Sequence, residues 1–271
     1  MDLLDALIAL IPVLSFGLVP VIATLIGGKP VEQSMGVSLG GLLFAVVVLI
    51  LRRPELNLHI FLIGFLSGVF WAMGSLGQFV GIRHLGVARA TPLLNGGQII
   101  GTSLVGIMLG DWATTTAKTY GFIALALIII GIILTSYQSS THGGKVNWGK
   151  GIAINLLAAL AFTAYVGVLK YYKIDSWSSI FPQSVGQVTA VAVFGMLLMK
   201  TQPFSRQSLK NSVVGIVWGI GNLALLLSQV KLGLATAYPI SQAGVIVAVL
   251  GGVFINKEKK NRKEWTAAIL G

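Results

Sequence analysis

Apolar residues gather along this chain in nine runs of roughly 20 positions, at 3–26, 33–51, 59–83, 88–109, 117–137, 150–172, 180–200, 210–232 and 235–255. Each is about long enough to cross the ~30 Å hydrocarbon core of a bilayer as a helix. A tenth run starts at Glu264 and ends with the sequence at Gly271, and its ~12 Å of helix is too short to cross. Barrel strands would alternate polar and apolar residues over about ten positions, so uninterrupted runs of this length predict helices. Polar positions return inside the runs at helical spacing: Trp71, Ser75, Gln78 and Ile82 in the third, Trp218, Asn222, Leu225 and Gln229 in the eighth, Asn95, Gln98 and Thr102 in the fourth. The pattern predicts an all-α integral membrane protein, a ten-helix bundle whose tenth helix is incomplete.

Sliding the sequence along itself by 147 residues aligns 71–111 with 218–258 without a gap, and ten of the 41 positions are identical. Within that stretch "GVARATPLLNGGQ" (86–98) and "GLATAYPISQAGV" (233–245) share the skeleton Gly-x-Ala-x-Ala-x-Pro with a Gly five residues after the Pro. Trp71 and Trp218 are mates in this alignment, and Gln242 matches Asn95. The chain therefore reads as two five-helix repeats, 1–137 and 150–271, joined by a loop at 138–149. Five is odd, so the second repeat crosses in the opposite sense to the first, a recurrent plan of secondary transporters. Each motif is expected to mark the turn between the third and fourth helices of its repeat, where small residues allow close approach. Glycine pairs four apart (36/40, 64/68, 97/101, 106/110, 215/219) are expected at other helix contacts.

Composition agrees with a membrane protein: 55% of the residues are hydrophobic, 10% are charged, and the mean hydropathy is +0.87. The net charge of +11 comes from 19 Lys and Arg scattered among the run ends, which argues against a nucleic-acid surface. Grouped by connection, 13 of them fall on one side and 6 on the other, so the positive-inside rule favours an external amino terminus. Asp2 and Asp5 in the leader argue against a cleaved signal. Cysteine is absent, which removes thiol catalysis, thiolate metal sites and disulfides. No cofactor or metal is expected.

The chemistry lies in what the runs contain and what they lack. Amides at membrane depth must face one another or a wet cavity, and a flat indole pair suits the apolar face of a sugar ring. Trp71, Gln78, Asn95, Gln98, Trp218, Asn222 and Gln242 are therefore the candidate substrate-binding residues. All eight carboxylates lie near run ends, where an organic-cation pump would want one at mid-membrane. The cargo is expected to be neutral and hydroxylated. If transport is coupled to protons, the candidate carriers are Asp5, Glu32, His84 and Asp111. An intramembrane enzyme would need a nucleophile or metal constellation at depth, and the sequence offers none. An exporter of amino acids or small metabolites and a non-transporting sugar sensor both remain open on these features.

The stretches "ALIALIPVLSFGLVPVIATLIGGKP", "GVFWAMGSLGQFVGIRHLGVARATPLLNGGQIIGTSLVGIMLGDW" and "GLATAYPISQAGVIVAVLGGVFINKEKKNRKE" resemble the bacterial glucose/ribose uptake porters of the drug/metabolite transporter superfamily. The resemblance spans essentially the whole chain. It implies a ten-helix bundle of two inverted repeats in the bacterial plasma membrane. The implied activity is uptake of a monosaccharide, usually glucose, with proton symport the usual proposal. The short tenth run departs from that pattern. Many superfamily members are drawn with cytoplasmic termini, opposite to the orientation the charges favour.

Overall fold

Backbone groups that cannot reach water must bond within their own segment, and the chain meets this demand with helices. The computed structural model describes residues 3–136, 148–257 and 261–270, and among them every regular element is helical. The first half holds α1 (Leu3–Ile26), α2 (Pro30–Arg52), α3 (Leu58–Leu85), α4 (Val87–Met108) and α5 (Thr115–Ser136). The second holds α6 (Trp148–Tyr171), α7 (Ser176–Val193), α8 (Arg206–Leu232), α9 (Leu234–Gln242), α10 (Gly244–Phe254) and α11 (Arg262–Leu270). Most of the predicted loop at 138–149 lies outside the described residues, and its last two positions already belong to α6.

Helices start where a side chain can take the first free amides. Asn57 accepts from the Ile60 amide at 2.9 Å, Asp175 from Ser178 at 2.9 Å, and Ser205 from Ser208 at 3.2 Å. These caps explain why α7 and α8 begin several residues before the apolar runs do. α7 ends in a π-turn at Phe194–Leu198, with the Met199 amide on the Phe194 carbonyl at 3.0 Å.

Among the described residues, seven helical stretches are long and apolar enough to span a membrane: α1, α2, α3, α6, α7 with its π-turn, α8, and α9 with α10. α4 is not among them, because Asn95, Gln98, Thr91 and Thr102 interrupt its apolar character. The ninth run, expected as one helix, breaks after Gln242. Pro239 cannot donate to the turn before it, and the Ala243 amide turns back three residues to the Ile240 carbonyl at 3.1 Å. Large apolar side chains such as Leu51, Leu157 and Leu197 stand exposed on the outer surface, the surface a bilayer covers.

The tightest helix crossings run through glycine. α2 meets α8 where a Cβ on Gly215 would lie 2.2 Å from the Val37 carbonyl oxygen, and α3 meets α7 where one on Gly68 would lie 2.0 Å from that of Gln183. Gly68 and Gly215 are 147 residues apart. Four of the five glycine pairs pack as expected. Gly110 of the fifth has nothing within 4 Å of its would-be Cβ and lies in the turn after α4. Gly215→Leu should cost at least the ~1–3 kcal/mol of core overpacking and lower the thermal midpoint of detergent-purified protein. Gly149→Ala, at a position open on all sides, should leave it unchanged.

Candidate functional site

The two motifs build matching corners. α3 ends at Gly86 (φ 81°, ψ 164°) and α8 at Gly233 (φ 76°, ψ 157°), and each glycine is also the cap of the helix that follows. This backbone region is essentially closed to residues with a Cβ, which is why both copies carry Gly there. Behind each glycine the next helix opens with the same bond, Ala90 amide to Gly86 carbonyl and Ala237 amide to Gly233 carbonyl, both 3.0 Å. The corners lead into α4 and α9, whose following turns carry Thr91, Asn95 and Gln98 in one and Tyr238 and Gln242 in the other.

They meet a cavity of about 50 Å³. α3 contributes Trp71 and Gln78, α8 Trp218, α4 Thr91, Asn95 and Gln98, and α9 Tyr238 and Gln242. Phe16 and Val19 of α1 and Phe162 and Tyr165 of α6 close the remaining wall. Three pairs of lining positions are separated by 147 residues: Trp71 and Trp218, Thr91 and Tyr238, Asn95 and Gln242. Six of the seven residues expected to bind substrate thus come together. The exception is Asn222, which is buried one layer behind the cavity.

The indoles of Trp71 and Trp218 pack against each other, with centroids 4.7 Å apart at a tilt of 59°, and Phe162 stands edge-on to Trp71 at 6.3 Å. The two buried rings thus contact each other at a tilt, an arrangement the sequence alone did not indicate. Polar contacts lock the surroundings. Tyr238 donates to the Gln98 amide oxygen at 2.9 Å, tying α9 to α4. Tyr165 donates to the Asn222 oxygen at 3.4 Å, and Asn222 in turn donates to Gln183 at 2.7 Å. Gln183 then donates to Ser67 at 2.8 Å, whose hydroxyl donates to the Tyr165 carbonyl at 2.6 Å. This closed circuit explains why Asn222 turns away from the cavity.

Against this geometry, residues 7–271 match the family described as Sugar transport protein. The chain belongs to the sugar transport protein family. A Listeria monocytogenes protein whose name connects it with sugar uptake is 39% identical over 270 residues, covering 99% of this chain and 94% of that protein. The glucose uptake protein GlcU of Bacillus subtilis is 36% identical over 272 residues, again 99% and 94% of the two chains. A solved crystal structure 14% identical in sequence superposes on 98% of this chain and 93% of that one with a TM-score of 0.68, a likeness that concerns the fold alone. Membership in this bacterial family and the seven apolar spans make the chain a multi-pass cell-membrane protein.

Among the described residues lining the cavity none is Asp, Glu, Lys, Arg or His. The carboxylates and histidine expected as proton carriers lie elsewhere. Glu32 accepts from the Lys29 amide at 2.7 Å and caps α2, and His84 sits half-buried in the last turn of α3. The Asp5 side chain lies outside the described residues. Asp111 is the best connected: one oxygen pairs with the Lys170 ammonium at the end of α6, and the other accepts from the Ala235 amide at 2.9 Å in the first turn of α9. Among the described residues no three His, Cys, Asp or Glu gather as a metal site would require.

The expectations missed Thr91, Tyr238, Phe162, Phe16 and Val19 as lining residues. Thr91 and Tyr238 were readable in principle, since both occupy the variable position just before the motif proline. Asn222→Ala strands Tyr165 and Gln183 in the buried circuit at ~1–3 kcal/mol each. It should lower the thermal midpoint of purified protein by several degrees, whereas Gln78→Ala, at a half-buried lining position, should leave it nearly unchanged.

Proposed function

We propose that this chain takes up a neutral monosaccharide, with glucose the first candidate, across the plasma membrane by alternating access of two inverted five-helix repeats. The observation that carries the reading is the uncharged cavity lined by three pairs of positions 147 residues apart, Trp71 with Trp218 from α3 and α8, and Thr91 with Tyr238 and Asn95 with Gln242 from the two motifs. An uncharged set of amides, hydroxyls and indoles can exchange hydrogen bonds with sugar hydroxyls but offers no counter-ion to a charged cargo. The names of the relatives, glucose uptake and sugar uptake, point to the same substrate class. Matching glycine corners at 86 and 233, and crossings through Gly68 and Gly215, support a pseudo-symmetric pair of halves.

A cavity of about 50 Å³ falls well below the ~300–1,000 Å³ of small-molecule sites, so it must widen to admit a sugar. Sugar entry then requires the Trp71–Trp218 contact and the Tyr238–Gln98 bond to open. Asp111 is the group through which proton coupling would act. Its protonation weakens the hold on Lys170 and on the first turn of α9, the helix that carries Tyr238 and Gln242.

The test is uptake of labelled glucose into proteoliposomes, with and without an inward proton gradient. Saturable glucose entry that competing monosaccharides block is expected, and Asp111→Asn should abolish gradient-driven accumulation while equilibrative exchange persists. Saturable binding without flux would replace the transporter by a sensor. Absence of both, with flux of amino acids instead, would replace the cargo.

A further inference from the structure

Two polar atoms in the cavity wall have no partner. The Thr91 hydroxyl and the Trp71 indole nitrogen are both without a hydrogen bond, although Thr91 is 3% exposed and Trp71 2%. Leaving such a group unpaired in the interior is costly, and a helical threonine normally avoids it by donating to the preceding turn. Thr102 does so to the Gln98 carbonyl at 2.7 Å, and Thr163 to that of Ala159 at 2.9 Å. Thr91 does not. Its counterpart 147 residues on, Tyr238, has its hydroxyl engaged by Gln98, so the first motif holds open what the second motif closes.

The geometry points to Thr91 and the N–H edge of Trp71 as specificity-determining groups that hydrogen-bond hydroxyl oxygens of the bound sugar. The Thr91 hydroxyl can both donate and accept, and the indole N–H only donates, which fits a polyol whose oxygens do both. Trp71 acts here through its edge, because Trp218 and Phe162 occupy its ring. Discrimination arises as it does wherever a site is built around one hydroxyl. A ligand lacking that hydroxyl leaves the buried protein group unpaired and is rejected. This inference rests on the sugar-carrier reading above.

The experiment is glucose uptake into proteoliposomes competed by the set of monodeoxyglucoses, in wild type, Thr91→Val, Thr91→Ser and Trp71→Phe, with membrane yield and thermal midpoint measured for each. In the wild type, the analogue lacking the hydroxyl that Thr91 reads should compete about tenfold less well than glucose. In T91V the half-saturating glucose concentration should rise about tenfold and that same analogue should compete as well as glucose. T91S should keep the wild-type profile, and W71F should flatten the profile at a different hydroxyl. A T91V protein that retains both the wild-type half-saturation and the wild-type deoxy profile would overturn the assignment. A wild type that moves no monosaccharide overturns the sugar-carrier reading itself, a result distinct from an unchanged T91V profile in an active carrier.

Discussion

A polar group surrounded by hydrocarbon has no water to turn to, and this constraint organises the molecule from the backbone to the cavity. It forces the chain into helices, and it then governs where the side-chain amides and hydroxyls go. The circuit through Tyr165, Asn222, Gln183 and Ser67 closes on itself across α3, α6, α7 and α8. A second set, Gln78, Thr91, Asn95, Gln98, Tyr238 and Gln242, lines one cavity. α4 is too polar to count as a plain membrane span for the same reason that it is useful: its polar positions form one wall of that space.

Close approach of the helices follows from glycine. At the α2–α8 and α3–α7 crossings any Cβ would collide with a neighbouring carbonyl, so the backbones themselves are in contact. At the ends of α3 and α8, Gly86 and Gly233 take a backbone conformation that lets one helix pass into the next with no loop between them. The repeated motif is thus a geometric instruction. It places the position before the proline, and the position three after it, against the cavity in both halves, as Thr91 and Asn95 in one and Tyr238 and Gln242 in the other. The break after Gln242 adds an asymmetry, since α4 continues where α9 stops.

Much of this was legible in the sequence because the signals are local. Run lengths gave the helices, the 147-residue offset gave the matching corners, and helical spacing together with that offset gave six of the cavity residues. What escaped depended on partners from other elements. Asn222 shares a face with Trp218 by spacing, yet Gln183 on α7 and Tyr165 on α6 draw it behind the cavity. The mutual packing of the two tryptophans depends on how α3 and α8 approach, which no spacing rule contains. Pro92 and Pro239 sit at matching positions, but only the second is followed by a break, so the proline signal alone could not decide between them.

The central claim is that one cavity is reached in turn from both sides of the membrane. The chain has no cysteine, so a single Val19→Cys substitution places one thiol on the cavity wall. Its labelling by membrane-impermeant reagents, applied separately to the two faces of oriented vesicles with and without glucose, tests the claim directly. The account predicts labelling from both faces, with glucose protecting the thiol or shifting the balance between them. Labelling from one face only, indifferent to sugar, would contradict it.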